Sequence, residues 1–353
     1  MSTSDVNRDG LHGARPDREA TPGAPGGSGG RRRGSEQPVM PGAQPTSYYG
    51  MPVLNRPTWK APDIPGYLYL GGLAGAGSVL AAGATLTGRP RLARAAKLGA
   101  VAGVSLSLAA LVHDLGRPAR FLNMLRVIKP TSPMSMGSWL LSVYGPLAGA
   151  AAVTDVTGRF RRAGHAATVA AALTGPALAT YTAVLISDTA VPAWHDAYRE
   201  LPYLFAGSAS AAAAGLGLIA APTREAGPAR RLALLGAATE LLAGQLMEHR
   251  LGEVAEPYTN GRSGRLMRTA KALTGAGAIG AALLGRRSRI GAAACGAALM
   301  AGSAITRFAV FEAGLASADD PKYTVGPQRD RLTARGAATR PAADDPAPPL
   351  RRQ

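Results

Sequence analysis

Cysteine, histidine, aromatic residues and acidic charge are all scarce in this chain of 353 residues. Its single cysteine, Cys295, stands in an Ala/Gly run and cannot hold an iron-sulfur cluster, which needs about four thiolates. It reads as core packing. Of the five histidines, His12 falls in a terminal stretch, and His113, His165, His195 and His249 lie at or beyond the ends of apolar segments. A membrane haem would need paired histidines inside its helices, so no haem is expected. No HExxH, CxxC or Walker-type loop occurs, and no metal or nucleotide chemistry is expected within the chain. Lys and Arg outnumber Asp and Glu by 39 to 22, yet no basic patch is interleaved with the aromatics that a nucleic-acid channel uses. The excess of base therefore points away from nucleic acid and toward the loops of a membrane protein.

What the chain does have is long apolar runs. It is 46% hydrophobic and only 17% charged, with 45 glycines, and the charges concentrate in both termini and in short loops. The intervening segments suit a hydrocarbon layer about 30 Å thick, which a helix of about 20 residues crosses. Hydropathy predicts an all-α integral membrane protein with eight transmembrane helices, at about 66–88, 96–114, 135–157, 165–187, 201–221, 229–249, 269–285 and 289–309. Gly71, Gly75, Gly277 and Gly296 lie within these runs, where small residues let backbones approach closely in lipid. Residues 1–65 are rich in Gly, Pro, Ser and Arg and are expected to be a disordered tail. The membrane domain is placed at 66–315, followed by a mostly disordered tail at 316–353. Arg31 to Arg33 lack a following apolar stretch, so the first hydrophobic segment is expected to act as the insertion signal.

Loop charge gives an orientation. The loops 89–97, 158–165, 222–231 and 286–289 hold 13 Lys and Arg in 31 residues, whereas 114–136, 188–203 and 248–271 hold 10 in 63. The richer set is expected in the cytoplasm of a cell-membrane protein, with both termini extracytoplasmic. Trp59, Trp139 and Trp194 all then fall on the outer side, as an interfacial belt or as a docking face and ligand mouth.

The stretch from Leu111 to Trp139, LVHDLGRPARFLNMLRVIKPTSPMSMGSW, packs His113, Asp114, Arg117, Arg120, Arg126 and Lys129 between two apolar segments. Gly116 and Pro118 should end one helix there, and Pro130 with Ser132-Pro133 should set up the next. A basic loop flanking a membrane is the plain reading. The words HDLGRPARF and SPMSMGSW, however, resemble the signature of the polysulfide reductase membrane subunit family (NrfD/PsrC-like). Two further stretches, TYTAVLISDTAVPAWHDAYRELP and RFAVFEAGLASADDPKYTVGPQR, are similar to the same family in the same order, and the likeness covers roughly residues 60 to 330. The second of them sets Arg307 and Glu312 at the membrane edge.

This resemblance implies two four-helix bundles and a quinone-reactive membrane subunit of complex iron-sulfur molybdoenzymes. It implies a ferredoxin-like iron-sulfur subunit and a molybdopterin catalytic subunit as partners, and menaquinone or ubiquinone as the bound substrate. Arg117, Arg120, Arg126 and Lys129 become candidates for contacting the iron-sulfur subunit. In the family a Tyr and a His near the outer surface are associated with the quinone. Tyr181 matches the Tyr, but the first span offers only Tyr67 and Tyr69, leaving His113 or His249 as substitutes for the His.

The ionisable residues of the spans supply the remaining candidates. Tyr181 and Asp188 are seven apart and share a helix face, Asp188 about 10 Å nearer the outer surface. That pair suits a quinone hydrogen-bond donor and a proton path, or else a Tyr bonded to a carbonyl and an Asp at a helix end. Glu240 falls roughly 16 Å into its span, near the midplane, where an ionised carboxylate is costly unless paired. Proton handling and a neutral inter-helix hydrogen bond both account for it. Asp114, Glu248 and His249 gather with Tyr67 and Tyr69 at the outer ends of their spans. The expected function is electron exchange between an iron-sulfur partner and the quinone pool, with protons supplied by carboxylates. A secondary transporter or proton-translocating protein, with Glu240 and Asp188 as coupling sites, and a purely structural anchor remain alternatives. The partner's own substrate stays open among formate, polysulfide, thiosulfate, tetrathionate and nitrite.

Overall fold

The computed structural model describes residues 6–7, 10–11, 53–115 and 119–338. The chain divides into residues 1–43 and residues 44–353. In the first unit the described backbone is a short antiparallel pairing, Val6 opposite Leu11 and Asn7 opposite Gly10. The rest of residues 1–52, for which disorder is expected from composition, lies outside the described residues, as does everything after Ala338.

The second unit is helical. Its helices are α1 (Asp63–Leu86), α2 (Pro90–Asp114), α3 (Ala119–Met124), α4 (Pro133–Thr157), α5 (Arg161–Ser187), α6 (Pro192–His195), α7 (Leu201–Ala220), α8 (Gly227–Leu251), α9 (Glu256–Thr259), α10 (Gly261–Leu284), α11 (Arg289–Asp319) and α12 (Lys322–Ala338). Local chemistry sets several ends. Proline opens α2, α4, α6, α7 and α8, where its missing N–H would have had no partner within the helix. Gly158, left-handed at φ 69°, closes α4. The Ser288 hydroxyl accepts from the Gly291 amide and caps α11.

Six helices, α1, α2, α4, α5, α7 and α11, are long and apolar enough to cross a membrane. The sixth and seventh expected spans exist as helices of similar length, α8 and α10, but are more polar. Helix α8 begins on Arg230 and Arg231 and carries Glu240, Glu248 and Arg250. Helix α10 spends its first half on Arg262, Arg265, Arg268 and Lys271, so its uncharged run from residue 272 to 284 is shorter than a bilayer needs.

The end of the chain differs from expectation. Helix α11 continues ten residues past the expected 309, and α12 follows where a mostly disordered tail is expected. The reason is tertiary. Arg307 and Glu312 read in sequence as charges at a membrane edge, but Arg307 is fully buried and Glu312 pairs with Arg262 at 3.3 Å. Helix α12 is anchored by Lys322, whose Nζ meets Glu256 Oε2 at 2.5 Å.

Neighbours fall into two sets. Helix α1 packs on α2 and α5, and α4 on α2 and α5; α7 packs on α8 and α11, and α10 on the same two. The sets meet where α1 and α5 touch α7. Helices α1 and α5 cross at Gly75 and Gly175, where a Cβ on either residue would run into the other's carbonyl oxygen. Such backbone contact is how helices gain dispersion energy where lipid offers no hydrophobic drive. Trp194 is also interior rather than interfacial. It is fully buried, stacks on Trp59 at 5.6 Å between ring centres, and donates its indole N–H to the Val310 carbonyl at 2.8 Å.

Candidate functional site

At the end of the first helix set where α1 begins and α2 ends, α1, α2, α4 and α5 enclose a cavity of about 120 Å³. Its wall is mostly Leu, Ile and Met, and its polar groups are few: Tyr67, Asp114, Ser138 and Tyr181. Tyr67 stands in the second turn of α1, where its carbonyl accepts from the buried Ser107 hydroxyl of α2 at 3.1 Å. The Tyr67 and Tyr181 rings meet edge-on, centroids 6.5 Å apart and planes at 77°. Tyr181 reaches that position because the facing residue of α4 is Gly137; a Cβ there would overlap the ring.

Two features of this cavity are not explained by packing. The Tyr181 hydroxyl is buried and has no protein partner among the described residues. An orphaned buried hydroxyl costs about 1–3 kcal/mol, so a partner from outside the chain is expected. Asp114 sits at the C-terminal end of α2, where the macrodipole disfavours a carboxylate by about 0.3–1 kcal/mol. The Lys60 amide, 3.3 Å from Asp114 Oδ1, partly offsets that.

A second polar group lies deep in the other helix set. The Thr306 hydroxyl donates to Glu240 Oε1 at 2.6 Å, and Ser208 donates to Ser303 at 2.9 Å beside it. Arg307, in electrostatic range of Glu240 and Tyr69, lies over the Phe205 ring at 3.6 Å and donates through Nη2 to the Phe205 carbonyl at 2.9 Å. Glu240 Oε2, Thr274 Oγ1, and Arg307 Nε and Nη1 are buried without a protein partner among the described residues.

Of the residues singled out from sequence, the cavity brings together Tyr67, Asp114 and Tyr181. Tyr69, two residues on, faces away from it toward the Arg307 side. His113 is largely exposed and contacts Asp63 at 2.8 Å. Asp188 is exposed at the end of α5, outside the cavity, and His249 is exposed on α8. Glu248 is engaged by Lys271 at 2.6 Å. Arg126 and Lys129 are exposed beside Leu122, Val127 and Ile128, while Arg117 and the side chain of Arg120 lie outside the described residues. Sequence reasoning missed Ser138, and it read Trp59 only as part of an outer belt or ligand mouth and Arg307 only as a membrane-edge charge. Ser138 stands in the quoted SPMSMGSW word, and Trp59 precedes the first apolar run. Arg307 becomes legible once α11 is allowed to run its full length.

The family described as Polysulphide reductase, NrfD, matches residues 53–247, more than half of the chain. That span contains the whole cavity lining and Glu240, and ends within α8. No curated protein matches the chain. With the apolar helices and the cavity they enclose, this match identifies the chain as a multi-pass membrane protein that belongs to the NrfD (polysulphide reductase) family, whose members serve quinone-interacting oxidoreductase complexes.

Proposed function

We propose that this chain binds the headgroup of a membrane quinone between Tyr67 and Tyr181 and passes electrons between it and an iron-sulfur partner subunit. The observation that carries the reading is the unpartnered Tyr181 hydroxyl inside a small apolar cavity. Ligand pockets combine such apolar walls with few polar groups. At about 120 Å³ the space suits a ring rather than an isoprenoid tail, which would extend into lipid. Bound quinone supplies the two-electron, two-proton chemistry that the side chains lack.

The residues divide that work. Tyr181 donates its hydroxyl to one carbonyl oxygen of the ring, and the adjacent Tyr67 offers a second hydroxyl. Asp114, half-buried in the cavity wall, exchanges the proton with outside water. Asp188, a full two turns further out and exposed, is not needed for that step. His113, His249 and Glu248, each outside the cavity, are not assigned to the ring.

Eight helices cross the membrane in this reading, in two bundles of four, supported by the two packing sets and by the exposed Leu235, Leu242 and Leu246 of α8 and Ile279 and Leu283 of α10. The cavity lies extracytoplasmic with both termini. The iron-sulfur subunit, itself paired with a molybdopterin catalytic subunit, docks over Leu122, Arg126, Val127, Ile128 and Lys129, with Arg117 and Arg120 as further candidate contacts by sequence alone. Glu240, set among buried polar atoms without partners, favours a second role in moving protons across the membrane.

Photolabelling with an azido-quinone in native membranes tests the site. Label on the peptides carrying Tyr67 and Tyr181, competed by menaquinone, is the expected result. Competable label confined to α7–α11, or none, would leave the chain an anchor or a proton carrier.

A further inference from the structure

At the opposite end of the molecule, the turns between α1 and α2, α7 and α8, and α10 and α11 bring five arginines around one cavity of about 580 Å³. They are Arg89, Arg224, Arg230, Arg231 and Arg286, and among the described residues no acidic side chain lines the space with them. Arg89 Nε is buried without a protein partner among the described residues. Arg230 is surrounded by the like charges of Arg286, Arg89 and Arg231.

Two basic residues elsewhere on this end are neutralised by a carboxylate. Arg94 and Lys97 both reach Asp155, at 2.8 and 3.0 Å. The neighbouring carboxylate Glu225 is turned to the start of α2, where its Oε2 accepts from the amides of Arg91 at 2.8 Å and Leu92 at 3.2 Å. The guanidinium groups that are bonded use backbone carbonyls. Arg89 Nη1 donates to Glu225 O at 3.2 Å, and Arg230 Nη1 to Thr223 O at 3.0 Å and Gly285 O at 3.2 Å. These bonds fix the fork of each arginine and leave its charge uncompensated. Five arginine charges around one cavity repel one another and make it attractive to an anion.

We propose that this cavity binds a phosphate group, and that the phosphate is the headgroup of an anionic phospholipid. The lower wall decides for lipid over a free ion. Leu234 and Ala282 line the cavity beneath the arginines, and exposed Leu235, Ile279 and Leu283 continue the apolar surface along α8 and α10. A headgroup seated on the arginines would lay its acyl chains on that surface, as basic pockets between helices at a membrane's edge hold acidic lipids. The site is separate from the Tyr67–Tyr181 cavity and shares no residue with it.

The test uses the purified full chain, delipidated in mild detergent, in three arms: phosphatidylglycerol, phosphatidylcholine and inorganic phosphate. Binding is read by native mass spectrometry and by the shift in thermal midpoint. The variant combines Arg224→Gln, Arg231→Gln and Arg286→Gln, three exposed positions that no fold contact requires. Its control combines Arg159→Gln, Arg161→Gln and Arg162→Gln, which removes the same charge from the exposed α4–α5 turn. The expected result is one tightly held phosphatidylglycerol on the wild type and the control, weakened at least tenfold in the cavity variant, with no equivalent effect of phosphatidylcholine. Stabilisation by inorganic phosphate equal to that by phosphatidylglycerol would overturn the lipid source. Equal loss in the control, or no retained lipid and no phosphate effect, would overturn the site.

Discussion

Gly137 of α4 lies directly against the ring of Tyr181 on α5, close enough that any side chain at 137 would displace the ring. Because the Tyr181 hydroxyl has no protein partner among the described residues, its aim depends on that contact rather than on a hydrogen bond. Gly137→Ala should therefore cost about 1–3 kcal/mol of overpacking strain locally and move the hydroxyl. We expect quinone-linked turnover to fall about tenfold while the complex still assembles, measured as menaquinol-dependent against artificial-dye activity. Normal quinone turnover in this variant would separate Tyr181 from the chemistry.

Removing the donor and the proton group tests the same cavity chemically. Tyr181→Phe keeps the ring against Tyr67 and deletes only the hydroxyl. It should lower quinone turnover at least tenfold, about 1.4 kcal/mol of barrier. Asp114→Asn should act alike, whereas Asp188→Asn, exposed and outside the cavity, should behave as wild type. A large defect in Asp188→Asn with none in Asp114→Asn would reverse the assignment.

Much of this architecture is legible in the chain before any coordinates. Each of the eight apolar runs falls on a helix, six of them long and apolar enough to cross a membrane, though α10 begins eight residues before its expected start and α11 ends ten after its expected end. What periodicity does not reveal is rotation about the helix axis. Tyr67 and Tyr69 look equivalent in sequence, yet only Tyr67 enters the cavity, since the Gly75–Gly175 contact fixes the turn of α1 against α5. Asp188 shares a face with Tyr181 on an ideal helix, but α5 ends at Ser187 and the carboxylate falls beyond the packed wall. Arg307 is hidden in sequence for a different reason: a charge near the expected end of an apolar run reads as its boundary. Only the packing of α11 against α7 shows it to be a buried companion of Glu240.

That companionship predicts coupling between Glu240 and Arg307. Both are ionisable groups buried between helices, and removing one leaves the other with weaker compensation. Arg307→Met and Glu240→Gln should each destabilise the protein. The double variant should recover part of the loss, with an interaction energy of about 0.5–3 kcal/mol in a double-mutant cycle. Unfolding by SDS titration in mixed micelles supplies the measurement. Strict additivity would mean that the two groups do not sense each other.

The last helix offers a pH test outside the membrane. The Lys322 ammonium, 2.5 Å from Glu256 Oε2, and the Tyr323 hydroxyl, 3.1 Å away, hold the Glu256 carboxyl below its ordinary value of 4.5. The same carboxylate raises Lys322 above its ordinary 10.5. The depressed carboxyl contributes fully above about pH 4.5, and its contribution is lost as pH falls through the folded value. The raised ammonium contributes fully below about pH 10.5 and is lost as pH rises through its own folded value. Docking of α12 on α9 should thus hold between those limits and loosen outside them. Because both groups are substantially exposed, salt should weaken the contact as well. A spin label on cysteine at position 331, in a Cys295→Ser background, should become mobile as pH falls through the lowered Glu256 value, beneath 4.5, or in molar salt. With Lys322→Met it should be mobile at pH 7 already, and an immobile label in that variant would show that α12 is held by other contacts.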